Sequence, residues 1–141
     1  MYKSEVIKAT GENELMRFLG VEIVTAEANR VVLTMDVTPK VHQYAGIMNG
    51  GVSLYLAETA ASVGVVAYAD LTKVTPVGVE INGNHLRAVS KGTLTVEARP
   101  VFPGRTMSIW QIDIKNEKDK HIFTGRCSVL LQKRPAFPQD A

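Results

Sequence analysis

The sequence predicts an α+β fold in which a curved antiparallel sheet wraps one long buried helix. Three observations predict it. Residues 50–69 carry a single charged side chain, Glu58, among Val, Leu, Ala, Tyr, Gly, Ser and Thr, and a helix apolar on nearly every face must be enclosed by other structure. Other stretches alternate apolar and polar residues with the period of two that marks half-buried strands, RVVLTMDV at 30–37 being the cleanest. The predicted order is a short helix, two strands, the long helix, then about four strands, so helices and strands do not alternate as βαβ units require. One sheet cannot cover such a helix on all sides, and edge-to-edge pairing of two chains is therefore expected.

Each element has its own signal. Residues 13–19 read as a short helix with Leu15, Phe18 and Leu19 on one face, ended by Gly20. Residues 21–28 and 30–37 make a hairpin turning at Asn29, with Val31, Leu33, Met35 and Val37 on the buried side and Val32, Thr34 and Asp36 opposite. Thr38-Pro39 breaks the second strand, and a loop leads to the long helix, which opens at Asn49-Gly50-Gly51 and runs to Ala69. After a connection at 70–76, one long strand holds Val77, Val79, Ile81 and His85 in a shared inner phase. Asn82-Gly83 reads as a bulge within it, because Ser90-Lys91-Gly92 supplies a better turn. Residues 92–102 alternate again up to Pro103-Gly104. Residues 105–115 form a strand whose phase slips at the adjacent apolar pair Ile109 and Trp110. A polar turn at 116–120 precedes the last strand, 121–131, with Phe123, Cys127, Val129 and Leu131 inward. Residues 133–141, with two prolines, read as a loose tail.

Bulk properties narrow the function. At 141 residues the chain is expected to be one domain, 1–141, with its core at about 13–132. A formal charge of +2 without a Lys/Arg run argues against nucleic acid as a partner. The lone Cys127 excludes an internal disulfide framework and fits a reducing compartment. The first twenty residues lack a signal-peptide core, so a cytoplasmic location is expected. Residues 50–69 match a bilayer span in length, but a mid-helix carboxylate, two opening glycines and many Ala and Ser make them a poor one, and no membrane partner is expected. His42, His85 and His121 have no metal-ligand spacing, and neither a phosphate-binding loop nor a nucleophile elbow is present, so no metal or separate cofactor is expected.

Two features carry chemistry. A lone carboxylate in an apolar helix is costly unless it is paired or does work, which singles out Glu58. Glycine is about 1 kcal/mol worse than alanine inside a helix, so Gly50 and Gly51 mark a helix start where something approaches the backbone closely. Such a start presents unpaired amides and about half a positive charge, which suits a carbonyl oxygen gaining negative charge. Asn49 fits as the cap. Ser62, four residues past Glu58, shares its face of the helix.

The pattern Gln43-x-x-Gly46-x-x-Asn49-Gly50-Gly51, then Glu58-Thr59 and Ser62, then Gly78-Val79-Glu80-Ile81-Asn82-Gly83-Asn84-His85 resembles the hotdog-fold acyl-CoA thioesterases. The similarity is to their phenylacetate-degradation and 4-hydroxybenzoyl-CoA branch and covers roughly residues 13–132. The resemblance implies a homodimer with a continuous sheet, pairing again into a homotetramer, and active sites at the dimer interface. It implies an acyl-CoA substrate, coenzyme A being part of that substrate. Gly51 then offers its backbone N–H to the thioester carbonyl, Glu58 of the other subunit acts as base or nucleophile, Gln43 holds the thioester, and Ser62 orients a water or Glu58. Gly50 and Gly78 are candidates for the substrate side; Tyr44 either lines the acyl pocket or covers the loop, His85 either contacts substrate or is a satisfied inner residue, and Arg87, Lys91 and Arg105 either meet the phosphates of coenzyme A or are simply solvated. Relatives commonly have His where this chain has Asn49, which can donate an N–H but cannot pass a proton. Two alternatives stand beside hydrolysis. One is a dehydratase or hydratase of acyl thioesters pairing His85 with a carboxylate; the other is a non-catalytic acyl-CoA-binding protein.

Overall fold

Alternating side chains build the sheet, and the uninterrupted apolar run supplies what it wraps. The computed structural model describes Glu5, Lys8, Thr10 and residues 13–134. In chain order these include α1 (Glu14–Leu19), β1 (Glu22–Glu27), β2 (Arg30–Val37), a 3-10 turn (Pro39–Val41), α2 (Gly50–Val66), β3 (Val74–His85), β4 (Gly92–Pro103), β5 (Met107–Lys115) and β6 (His121–Lys133). The six strands form one sheet in the order β1-β2-β4-β5-β6-β3, every neighbour antiparallel. The strand that follows α2 therefore returns at the far edge, while β4 joins β2 in the middle.

The α2 helix packs along one face of this sheet and touches all six strands. Inward residues Val31, Leu33 and Met35 of β2, Leu94, Val96 and Ala98 of β4, and Trp110, Ile112 and Ile114 of β5 join Leu56, Ala57, Ala60 and Ala61 of α2 in one core, all at most 1% exposed. Small helix residues permit close contact. A Cβ at Gly64 would overlap the Trp110 ring, so the indole lies directly on the helix backbone. Its Nε1–H donates to Ser108 Oγ at 2.8 Å, which satisfies both buried polar groups.

Several expectations need correction. The α2 helix stops at Val66, and residues 67–69 turn away with the Tyr68 and Ala69 amides donating to Val65 O. They remain largely buried, so the apolar run reported enclosure beyond the helix itself. Asn13 caps α1 as its side chain accepts from the Met16 amide at 2.8 Å, and Gly20 closes it at φ 73°. The buried face of α1 is Met16, whereas Leu15 and Phe18 are 51% and 57% exposed. Lys40 sits over the Phe18 ring at 5.0 Å.

The β3 strand begins at Val74, and its irregularity falls between Gly78 and Glu80; Asn82 and Gly83 pair regularly with Arg126 and Gly125. The shift in phase, together with its place at the sheet edge, leaves Val77, Val79 and His85 exposed. Strand β5 shows no slip: Ser108, Trp110, Ile112 and Ile114 alternate inward, and Ile109 simply lies on the other face. Val32 is buried as well as its neighbours. Lys133 belongs to β6, Arg134 donates its amide to Lys73 O at 3.0 Å, and the rest of the expected tail, 135–141, lies outside the described residues. Among the described residues no helix is long and apolar enough to cross a membrane.

Candidate active site

The start of α2 is held by three segments of chain. The amide of Asn49 donates to Val41 O at 2.8 Å, that of Met48 to Val89 O at 2.8 Å, and His42 Nε2 lies 2.8 Å from Ser90 O. Between the first two lies a tight loop: the Gln43 amide donates to Ile47 O at 2.8 Å, Gly46 adopts φ 79°, and Gln43 Oε1 accepts from the Ala45 amide. That bond leaves the Gln43 carboxamide with its NH₂ as the free donor. Asn49 has extended backbone and accepts from the Gly51 amide at 2.8 Å through Oδ1, as an N-cap does. The Gly51 amide is thus occupied in this state, and the Asn49 NH₂ group remains available to donate.

A cavity of 360 Å³ opens here, lined by Gln43, Gly50, Ser53, His85 and Arg87 among apolar neighbours. A Cβ at Gly50 would lie 2.8 Å from His85 Nε2, so the imidazole occupies the space that a side chain at position 50 would fill. The ring rests against Phe123, centroids 5.6 Å apart, and Phe123 in turn fills the space left by Gly83 and Gly125. Arg87 is tied to the same corner through a hydrogen bond to His121 O at 2.9 Å.

Glu58 belongs to a different cavity. It is half-buried and lines a space of 470 Å³ with Asn13, Tyr55, Thr59 and Ser62. Its carboxylate lies directly over Gly78, where any Cβ would overlap Oε1. On the inner side sits Cys127, fully buried; burial first, then the nearby Glu58 and Glu80 carboxylates, push its thiol from 9.0 up to about 12. The Tyr55 hydroxyl is raised by burial, partly opposed by its hydrogen bond to Thr59. Glu58 follows Gly51 by seven residues, so roughly 10 Å of helix rise separates them. One chain therefore carries both halves of the expected site, set apart from each other.

The remaining candidates are placed as follows. Ser62 shares the Glu58 cavity, and Gln43, Gly50, His85 and Arg87 share the helix-start cavity. Gly78 underlies Glu58 and lines neither cavity. Tyr44 is 102% exposed and lines neither. Arg105 follows Gly104, whose carbonyl accepts from Tyr68 Oη at 3.0 Å, so it sits near the other end of α2 from Gly50. His85, expected on the inner face, is exposed at the mouth of the helix-start cavity. Sequence reasoning missed Ser53, whose buried hydroxyl lines that same cavity; its only signal was a polar residue three positions after Gly50 in an apolar run. Among the described residues no group of His, Cys, Asp and Glu is placed to hold a metal ion.

Comparison with known proteins is consistent with this geometry. The sequence model of the Thioesterase superfamily matches residues 45–123. A 1,4-dihydroxy-2-naphthoyl-CoA hydrolase of Listeria monocytogenes is 37% identical over 120 residues, 85% of this chain and 97% of that protein. A thioesterase from Haemophilus influenzae superposes with a TM-score of 0.85 at 32% identity, covering 100% of this chain and 96% of that one. A Staphylococcus aureus thioesterase superposes with a TM-score of 0.84 at 36% identity over 86% of this chain and 100% of its own. Its solved variants replace a glutamate, and a glutamine fifteen residues before it, by alanine. With one long helix held against a six-stranded antiparallel sheet, the hotdog arrangement, the chain belongs to the thioesterase superfamily and is a thioester hydrolase.

Proposed function

We propose that this protein hydrolyses an acyl- or aroyl-CoA to the free acid and coenzyme A, at a site built from the α2 start of one subunit and Glu58 of another. The observation that carries the reading is the separation just described: the helix-start amides and the only carboxylate on α2 open into different cavities of one chain. A second copy paired along the exposed β3 edge would supply the missing half to each. Gln43 and Glu58 lie fifteen residues apart, the same separation as the two positions altered in the Staphylococcus aureus thioesterase. The Listeria relative, named for an aroyl-CoA, favours an aromatic acyl group.

In this reading the thioester oxygen settles at the α2 start, accepting from the Asn49 NH₂ group and from the Gly51 amide, which leaves Asn49 Oδ1 as the oxygen arrives. Charge grows on that oxygen in the transition state, where one such donor contributes about 2.7–4 kcal/mol in other enzymes. Gln43 and His85 hold the thioester and its chain, and Arg87 lies toward the coenzyme A phosphates. Glu58 either takes a proton from the attacking water or attacks the carbonyl itself, and Ser62 orients it. In both routes the carbon–sulfur bond breaks with its electron pair on sulfur, and the thiolate takes a proton from water. In the first, Glu58 then returns its proton to solvent; in the second, water hydrolyses the mixed anhydride formed with Glu58, releasing the acid and restoring the carboxylate. Single turnover in ¹⁸O water separates the two: label in Glu58 marks the nucleophilic route. The expected result for Glu58→Ala is a loss of thiol release of a thousandfold or more with an unchanged melting curve; activity within tenfold of wild type would overturn the assignment.

A further inference from the structure

We infer that Ser53 is a substrate-binding residue whose hydroxyl donates to a carbonyl oxygen in the acyl-pantetheine segment of bound acyl-CoA. The inference rests on the acyl-CoA reading of the site. Ser53 is 1% exposed, and its Oγ is the one buried side-chain polar atom among the described residues without a hydrogen-bond partner. A serine inside a helix ordinarily returns its hydroxyl to a carbonyl three or four residues back; in α2 neither the Asn49 nor the Gly50 carbonyl receives it. A buried hydroxyl left in this way weakens the folded state, and alanine would fill the same space at no such cost.

Its position explains why a hydroxyl stands there. Ser53 follows Gly50 by three residues, so the two share one face of α2 a single turn apart. Helical Cα–Cβ bonds tilt toward the N-terminus, which leads Oγ toward the space over Gly50 that His85 borders. Gln43, Gly50, Ser53 and His85 line one cavity, whose other walls include Ile47, Met48 and Ile122. An apolar-walled cavity with one buried hydroxyl fits a thin chain that carries carbonyl groups between methylenes. The acyl-pantetheine arm has that chemistry, with one thioester carbonyl and two amide carbonyls.

The test measures binding in a Glu58→Ala background, using whichever of benzoyl-CoA and hexanoyl-CoA the unaltered protein cleaves faster. Adding Ser53→Ala is expected to weaken calorimetric binding about tenfold or more, while the ligand-free melting temperature stays level or rises. Ser53→Cys, nearly isosteric but a poor donor, is expected to weaken binding similarly. The corresponding N-acetylcysteamine thioester locates the carbonyl: an equal loss assigns the thioester or the nearer amide, and no loss with the short ligand assigns the distal amide. Binding of the full ligand within twofold of the Glu58→Ala parent overturns the inference. A ligand-free Ser53→Ala chain that melts several degrees lower also overturns it, by assigning the hydroxyl to the fold. Absence of thiol release from every acyl-CoA by the unaltered protein would defeat the thioesterase reading, whereas release together with intact Ser53→Ala binding defeats this inference alone.

Discussion

Glu58 shows how far single residues can be read from sequence. Its isolation in an apolar run was legible, because charge and hydropathy are local properties. What holds it was not: Gly78 lies twenty residues away and meets Glu58 only through the way α2 crosses β3. A side chain at position 78 would overlap Oε1, so Gly78→Ala must displace the carboxylate. We expect kcat to fall at least tenfold with KM little changed, since the helix-start half is untouched; steady-state thiol release checks it. Cys127 gives a prediction of opposite character. Its folded thiol titrates near 12 against an ordinary 9.0, so the unfolded chain loses that proton first. The stability this contributes is whole below pH 9.0 and drains away as pH climbs toward about 12. Denaturant melts should therefore show wild type losing stability faster than Cys127→Ala over that window. A matching slope in the two proteins would contradict the shift.

Among the elements, β2 and the start of α2 were the most legible, because alternation and a capped glycine pair are strong local signals. The limits of β2 and its inward residues match the reading, with Val32 the one addition to the buried set. The β3 strand was least legible. Its irregularity falls between Gly78 and Glu80 instead of at Asn82-Gly83, beside the glycine on which Glu58 packs, a contact no local turn propensity records. The α1 helix failed differently: in six residues one packed side chain, Met16, decides which face is inside, and apolar spacing alone could not choose it. At the α2–sheet contact Gly64 has a role that composition hides, since it admits the Trp110 ring to the helix backbone. Gly64→Ala is expected to cost about 1–3 kcal/mol by overpacking, measured as a lower denaturant midpoint with an unchanged slope.

At the scale of the whole molecule, the sequence already required more cover than one sheet provides, and the structure shows where it is lacking. Along α2, Val52, Tyr55, Glu58, Thr59 and Ser62 stay half-exposed while the opposite side is sealed. The β3 edge is twelve residues long and presents Val77 and Val79 at 38% and 50% exposure, an edge of the kind that pairs with another strand. Where that uncovered surface falls was beyond the reach of sequence, because it depends on the order of strands in the completed sheet. The distance between the helix-start cavity and Glu58 has a genetic corollary. Two crippled polypeptides should rescue one another: Gly50→Leu, which plugs only the amide side, and Glu58→Ala, which removes only the acid, are each expected to be inert. Unfolded together and refolded, they should form hybrids in which one of the two clefts is intact. Random assortment into symmetric pairs then restores about a quarter of normal turnover, and a mixture as silent as its parents would mean that each polypeptide works alone.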